Sequence, residues 1–214
     1  MKHFVIFILF LVLTVGTAFS QNDPNQSGNL DELVEVEVDG FEAEGFWFSH
    51  MSSDEGLTTA RLFKSRREGG EDSSVLGVRV DYLRRGYSSF TVRPMWPLPV
   101  EGETREVSVW VAGRNFNHEL KLIFMDFWDR VYEVPFDKKL NFHGWQKLTA
   151  YVPVDIPQIS VNSSKPMGIK IVGFRVYCDP LETRGTYYVY FDDMRAITDN
   201  STVNVDPEDM IDGW

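Results

Sequence analysis

Asp192 and Asp193, adjacent carboxylates inside the run GTYYVYFDDMRAITD (185–199), are the first place in this 214-residue chain where chemistry could reside. Two carboxylates in one cleft can hydrolyse a glycoside, one as acid and one as base or nucleophile. Neighbouring residues of a β-strand point to opposite faces, so these two cannot flank one substrate bond unless a bulge intervenes. One of them, with backbone carbonyls and an N-terminal carboxylate such as Asp39 or Glu42, would instead make an oxygen-rich site for a structural calcium ion. The alternative is a turn or bulge in which the carboxylates accept backbone N–H bonds. Elsewhere the usual constellations are missing. The histidines (His3, His50, His118, His143) have no zinc-binding spacing. There is no Gly-x-Ser-x-Gly elbow, phosphate-cradling glycine loop or dinucleotide fingerprint. Cys178 is the single cysteine, which excludes an intramolecular disulfide, and its apolar neighbourhood reads as core. RNFNHEL and NFHGW place Asn115, Phe116, Asn117 and Asn141, Phe142, Trp145 near strand ends. Aromatic-plus-amide loops can hold sugars, but they also cap turns and pack edges, and the structural reading is favoured here.

These residues must be positioned by strands. In 185–199 one face carries Tyr187, Val189, Phe191, Asp193, Arg195 and Ile197, the other Tyr188, Tyr190, Asp192, Met194 and Ala196. A half-exposed strand should have one apolar face; this one has two. Val34, Val36 and Val38 alternate with Glu35, Glu37 and Asp39, a period-two strand signal. Residues 49–74 are polar, hold SRREGGEDSS, and read as a loop. VLGVRVDYL, SSFTVRPMW, EVSVWVAG, GWQKLTAYVPV and GIKIVGFRVYCD read as strands, with PLPVEGETR as a connection. ELKLIFMDFWDRVYEVPF reads as a hairpin turning near Asp129-Arg130. Eight to ten short strands without an amphipathic helix or a βαβ rhythm predict an all-β fold, an antiparallel two-sheet β-sandwich.

The chain opens with a basic start, Lys2 and His3, then an almost unbroken apolar run from Phe4 to Val15, then small residues at Ala18 and Ser20. This is the layout of a secretory signal over residues 1–20, cleaved between Ser20 and Gln21. The run is short for a membrane span, so the mature form is expected to carry no membrane anchor. Residues 21–30 read as a flexible leader, 31–199 as the sandwich domain and 200–214 as an acidic tail that nevertheless holds Met210, Ile211 and Trp214. Such a tail is either a partner-binding arm or folds back on its own domain. The formal charge of −11 disfavours nucleic acid and anionic membrane as partners. Six tryptophans suit a sandwich core, a carbohydrate platform or a protein interface.

WVAGRNF, LNFHGWQKL, IVGFRV with its following DP, and YYVYFDDMRAIT occur in this order between Val107 and Thr198. Together they resemble the spirochaete flagellar filament outer layer family, the sheath proteins of periplasmic flagella; VDGFEAEG is also similar to the opening strand seen there and in sandwich modules related to carbohydrate-binding domains. The resemblance implies a noncatalytic structural protein with a jelly-roll-like fold and no required cofactor. It implies export to the periplasm and assembly with flagellin core subunits and other filament sheath proteins, altering filament stiffness or curvature. Such a subunit needs an exposed apolar patch, and interface anchors are rich in Trp, Tyr and Arg. Tyr188 and Tyr190 on the second face, Trp128 and Trp214 are the expected contacts. A periplasmic carbohydrate-binding sandwich is the alternative, and a glycosidase is disfavoured because no two carboxylates are placed in one cleft.

Overall fold

The computed structural model describes residues 33–66, 72–158 and 168–200. Within them the chain forms twelve strands: β1 (Leu33–Asp39), β2 (Trp47–Met51), β3 (Gly56–Arg66), β4 (Asp72–Tyr82), β5 (Ser88–Pro94), β6 (Leu98–Glu101), β7 (Glu103–Ala112), β8 (Glu119–Met125), β9 (Val131–Pro135), β10 (Trp145–Tyr151), β11 (Gly168–Cys178) and β12 (Thr186–Asp199). Every pairing is antiparallel. The first sheet runs β10-β7-β12-β4-β3 with β1 also on β12; the second runs β2-β5-β11-β8-β9 with β6 also on β11. The chain is therefore the expected two-sheet antiparallel sandwich.

The stretch 49–74, expected to be a loop, is largely the edge hairpin β3–β4. Its polar residues misled because they are the outward half of an alternation: Thr59 and Arg61 point to solvent while Ala60 and Leu62 pack on the core. The connection PLPVEGETR likewise contains a short strand, β6. The hairpin expected at Asp129-Arg130 is present between β8 and β9.

The two apolar faces of 185–199 have one cause. Tyr187, Val189 and Phe191 are buried, and so are Met194, Ala196 and Thr198: the inward set changes from odd to even. The change occurs at an irregularity in the β12–β7 ladder, where Asp192 opposes Trp110 but Arg195 opposes Ser108. One extra residue shifts the side-chain parity, which is what a β-bulge does. Asp193 sits there with φ +48°, a left-handed conformation that aspartate tolerates better than most residues. The same junction is where β12 exchanges one edge partner for another, pairing β4 through Phe191 and β1 from Met194 onward.

The second sheet repeats the device. β11 pairs β6 up to Ile171 and β5 from Phe174, and its register against β8 shifts between Ile171 and Gly173. Its buried set changes from Ile169 and Ile171 to Phe174, Val176 and Cys178. Gly173 has φ +130°, and a Cβ there would stand 2.1 Å from the Val92 carbonyl oxygen. The two bulges face each other across the core. Phe191 and Phe174, beside their respective bulges, stack with centroids 4.9 Å apart and planes 2° from parallel, and Phe174 also stacks on Trp47 at 5.8 Å. The Trp47 indole N–H donates to Asp39 Oδ2 at 3.1 Å, so the column is anchored at the end of β1.

Gly173→Ala is expected to cost at least about 2 kcal/mol, because it meets both a glycine-only φ and a backbone oxygen. Asp193→Gly, which relaxes a left-handed position but loses the part-buried pair with Arg195, is expected to cost less than Gly173→Ala, within about 1 kcal/mol of the parent. Chemical denaturation of the two variants measures both; equal costs would contradict this account of the bulges.

Candidate functional site

The register of the first sheet aligns Arg61, Gly77, Tyr190, Ala112 and Trp145 in one row across β3, β4, β12, β7 and β10. Large and small side chains alternate along it, with Gly77 and Ala112 on either side of Tyr190. Phe63, half-exposed on β3, leans over Gly77 and meets the Tyr190 ring edge-on at 6.0 Å. A Cβ on Gly77 would lie 2.6 Å from the Phe63 ring and 3.0 Å from that of Tyr190, so glycine is what lets these rings close onto the sheet. From the other side the Arg114 guanidinium stands 5.3 Å from the Tyr190 centroid, a cation–π geometry, with Nη2 3.4 Å from the phenol oxygen.

The result is a groove of two depressions sharing Phe63 and Tyr190. One, about 320 Å³, is bordered by Arg61, Arg79 and Tyr188; the other, about 740 Å³, by Lys64, Arg114, His143 and Trp145. Among the described residues, no carboxylate lines either depression. In a chain of net charge −11 that is a local reversal of sign. Two of the cations have protein partners at the rim: Arg79 pairs with Asp81 at 2.9 Å, and Lys64 Nζ donates to Ser74 Oγ at 2.9 Å. The outer face of the second sheet differs. There Glu133 accepts from the Tyr177 hydroxyl at 2.8 Å and pairs with Arg175 at 2.9 Å, while Lys121 covers the Tyr177 ring.

Of the expected contact residues, Tyr188 (39% exposed) and Tyr190 lie in this groove. Trp128 does not: it is 58% exposed on the β8–β9 connection of the second sheet, its ring edge-on to Phe127. That connection is built on buried Asp126. Burial works against the charge of this carboxylate, but hydrogen bonds from Arg130, Trp128 and Tyr132 prevail and hold it below the usual carboxylate range. Trp214 falls outside the described residues.

Each of the four carboxylates proposed for calcium meets protein neighbours, and Asp39 is paired with Met194, next to Asp193. Asp39 accepts from the Phe41 amide at 2.6 Å and from the Trp47 indole. Glu42 accepts from the Ser74 amide at 3.0 Å, and hydrogen bonds from Ser74 lower its pKa. Asp193 accepts from Arg195 Nε at 2.7 Å, and Asp192 is buried opposite Trp110. No group of three or more His, Cys, Asp or Glu side chains among the described residues is arranged to hold a metal ion. The amide-rich loops are structural in part: Asn117 donates to Glu182 and Asp179, and Phe116 packs on Tyr187 at 4.6 Å. Trp145 of NFHGW, however, borders the groove. Phe63 and Arg61 escape sequence reading because they lie in the stretch taken for a loop; Gly77 lies in a stretch read as a strand, but its neighbours there are set by register. The signal that could have found them is the register that sets Gly77 and Ala112 on either side of Tyr190.

The remaining titratable cluster is buried. The Asp179 amide donates to His118 Nδ1 at 3.1 Å, which leaves the proton on Nε2, 3.1 Å from the Tyr82 oxygen. Tyr82 in turn donates to Cys178 Sγ at 3.2 Å. Burial lowers the pKa of His118 to about 4 and raises that of the Cys178 thiol. A buried neutral histidine and an inert thiol are core polar groups, each with a partner.

A two-sheet sandwich with an open aromatic groove on one outer face is an architecture for binding or assembly. Residues 13–207 match the family described as flagellar filament outer layer protein Flaa, and the chain belongs to that family. It is 32% identical over 212 residues to a flagellar filament outer layer-like protein of Brachyspira hyodysenteriae, covering 93% of this chain and 96% of that one. Among solved structures it is similar in fold to a carbohydrate-binding module of the β-sandwich superfamily, with a TM-score of 0.51 at 11% identity. That likeness covers 72% of this chain and 57% of the other. A family 11 carbohydrate-binding module of a Clostridium thermocellum cellulosomal cellulase has a TM-score of 0.44 at 14% identity, over 77% of this chain and 95% of the module.

His118 makes folding pH-dependent. Unfolded it titrates near 6.5 and folded near 4, so between these values the unfolded chain binds a proton that the folded chain refuses. Stability is expected to fall as pH drops through this window, by up to about 3 kcal/mol, and to be insensitive to this group above it. Denaturation series from pH 7 to 4 on the parent and on His118→Gln check this; the same slope in both would refute it.

Proposed function

We propose that this chain is a noncatalytic outer-layer subunit of periplasmic flagellar filaments. It is exported by the signal in residues 1–20, assembles around a core of flagellin subunits beside other sheath proteins, and sets filament stiffness and curvature. The observation that carries the reading is membership of the filament outer layer family along most of the chain. The aromatic, cationic groove supports it, since exposed surfaces of this kind serve as contact sites, with Tyr and Arg as anchors. A second reading, a periplasmic carbohydrate-binding module, draws on the same groove, whose rings at Phe63, Tyr190 and Trp145 could stack on sugars.

Mass spectrometry of purified periplasmic flagella, with motility measured after gene deletion, decides between the two. The outer-layer reading expects the chain as a stoichiometric filament component and altered motility. Its absence from filaments with normal motility, together with binding of purified glycans, would favour the second reading.

A further inference from the structure

The geometry points to an occupant for the groove: residues 201–214 of a second copy of this chain. The inference rests on the outer-layer reading for the choice of a second copy; the physical argument for the segment comes from charge and shape.

The segment STVNVDPEDMIDGW carries Asp206, Glu208, Asp209 and Asp212 and no Lys, Arg or His. The groove presents Arg61, Lys64, Arg79, Arg114 and His143 without a lining carboxylate. Each surface is thus complementary in sign to the other, and complementary charge sets the encounter rate and the register of docking. Among its acids the segment places Met210, Ile211 and Trp214. The groove is walled by the rings of Phe63, Tyr190 and Trp145. Thioether and indole groups both pack favourably against aromatic walls.

The outer-layer reading selects the second copy over the first, because a layer needs contacts between subunits. The segment follows Asn200, and Tyr190 lies ten residues back along β12, about 33 Å away at strand rise. Ten residues span at most about 33–36 Å when fully stretched. Trp214, fourteen residues past Asn200, spans up to about 46–50 Å and reaches the groove of either copy, so the association state separates the two. Donor segment and acceptor groove are different surfaces, so the contact is heterologous, and each copy can donate and accept at once. Such contacts propagate into rows rather than closing as dimers, which suits a layer on a filament.

The test uses the full mature chain in sedimentation velocity across a concentration series. The parent is expected to form concentration-dependent species larger than a dimer that shrink as salt is raised to about 0.5 M. Trp214→Ala removes the donor anchor, and the exposed Arg114→Glu reverses a groove charge. Each alone is expected to weaken association at least tenfold, with melting curves confirming that both fold. An equimolar mixture of the two should recover dimers and nothing larger, because one intact groove meets one intact segment. Gly77→Ala, which displaces the Phe63 ring, should act like Arg114→Glu. The proposal is overturned if the parent stays monomeric, if the variants associate like the parent, or if the mixture recovers no dimer. It is equally overturned if the groove binds oligosaccharides while self-association ignores these substitutions. If the chain is monomeric in these experiments yet present in purified filaments, this inference fails and the outer-layer reading stands.

Discussion

The structure depends on two bulges that face each other across the core. In each sheet one long strand must pair with two successive partners along one edge, β12 with β4 and then β1, and β11 with β6 and then β5. The parity shift at Asp192-Asp193 and at Ile171–Gly173 lets both halves of each strand turn apolar side chains inward. Phe191 and Phe174 close the space between the bulges by parallel stacking, and Trp47 extends the column to Asp39. A side chain on Gly173 would break this arrangement through the backbone, whereas Asp193 only needs a left-handed residue.

The bulge in β12 also shapes the outer surface. Before it, the outward residues are Tyr188 and Tyr190; after it they are Arg195 and Ile197, beside the ion pairs of Arg195 with Asp193 and Glu35. The groove lies in the half of the outer face before the bulge, while Tyr151 is exposed in the other half, level with Ile197. On the opposite outer face Glu133 pairs with Arg175 and accepts from Tyr177, and Phe48 is exposed on β2.

Much of this was legible in the residues. The alternation in β1 and β7, the hairpin near Asp129 and the absence of helical periodicity give the sandwich directly. The doubled apolar face of 185–199 reads in sequence as a contact surface, and the bulge that accounts for half of it is there one of two explanations for the Asp192-Asp193 pair. What the sequence hides is whatever depends on register. A polar outward half made β3 resemble a loop, so Arg61 and Phe63 were missed. Proximity in a sheet is set by strand order, which brings residues 61, 77, 112, 145 and 190 together although nothing in their local sequence links them. Grouping Asp39, Glu42, Asp192 and Asp193 used sequence arguments alone, and in the fold Asp39, Glu42 and Asp193 each accept from a nearby protein donor.

The central claim is that the outer face of the first sheet is the assembly surface and that of the second is not. Site-specific photocrosslinking in intact cells tests it most directly, with a photoreactive residue at position 61 in the groove or at position 91 on β5 of the second sheet. The account predicts that the probe at 61 captures another filament chain and the probe at 91 does not. Capture at 91 with none at 61 would contradict it.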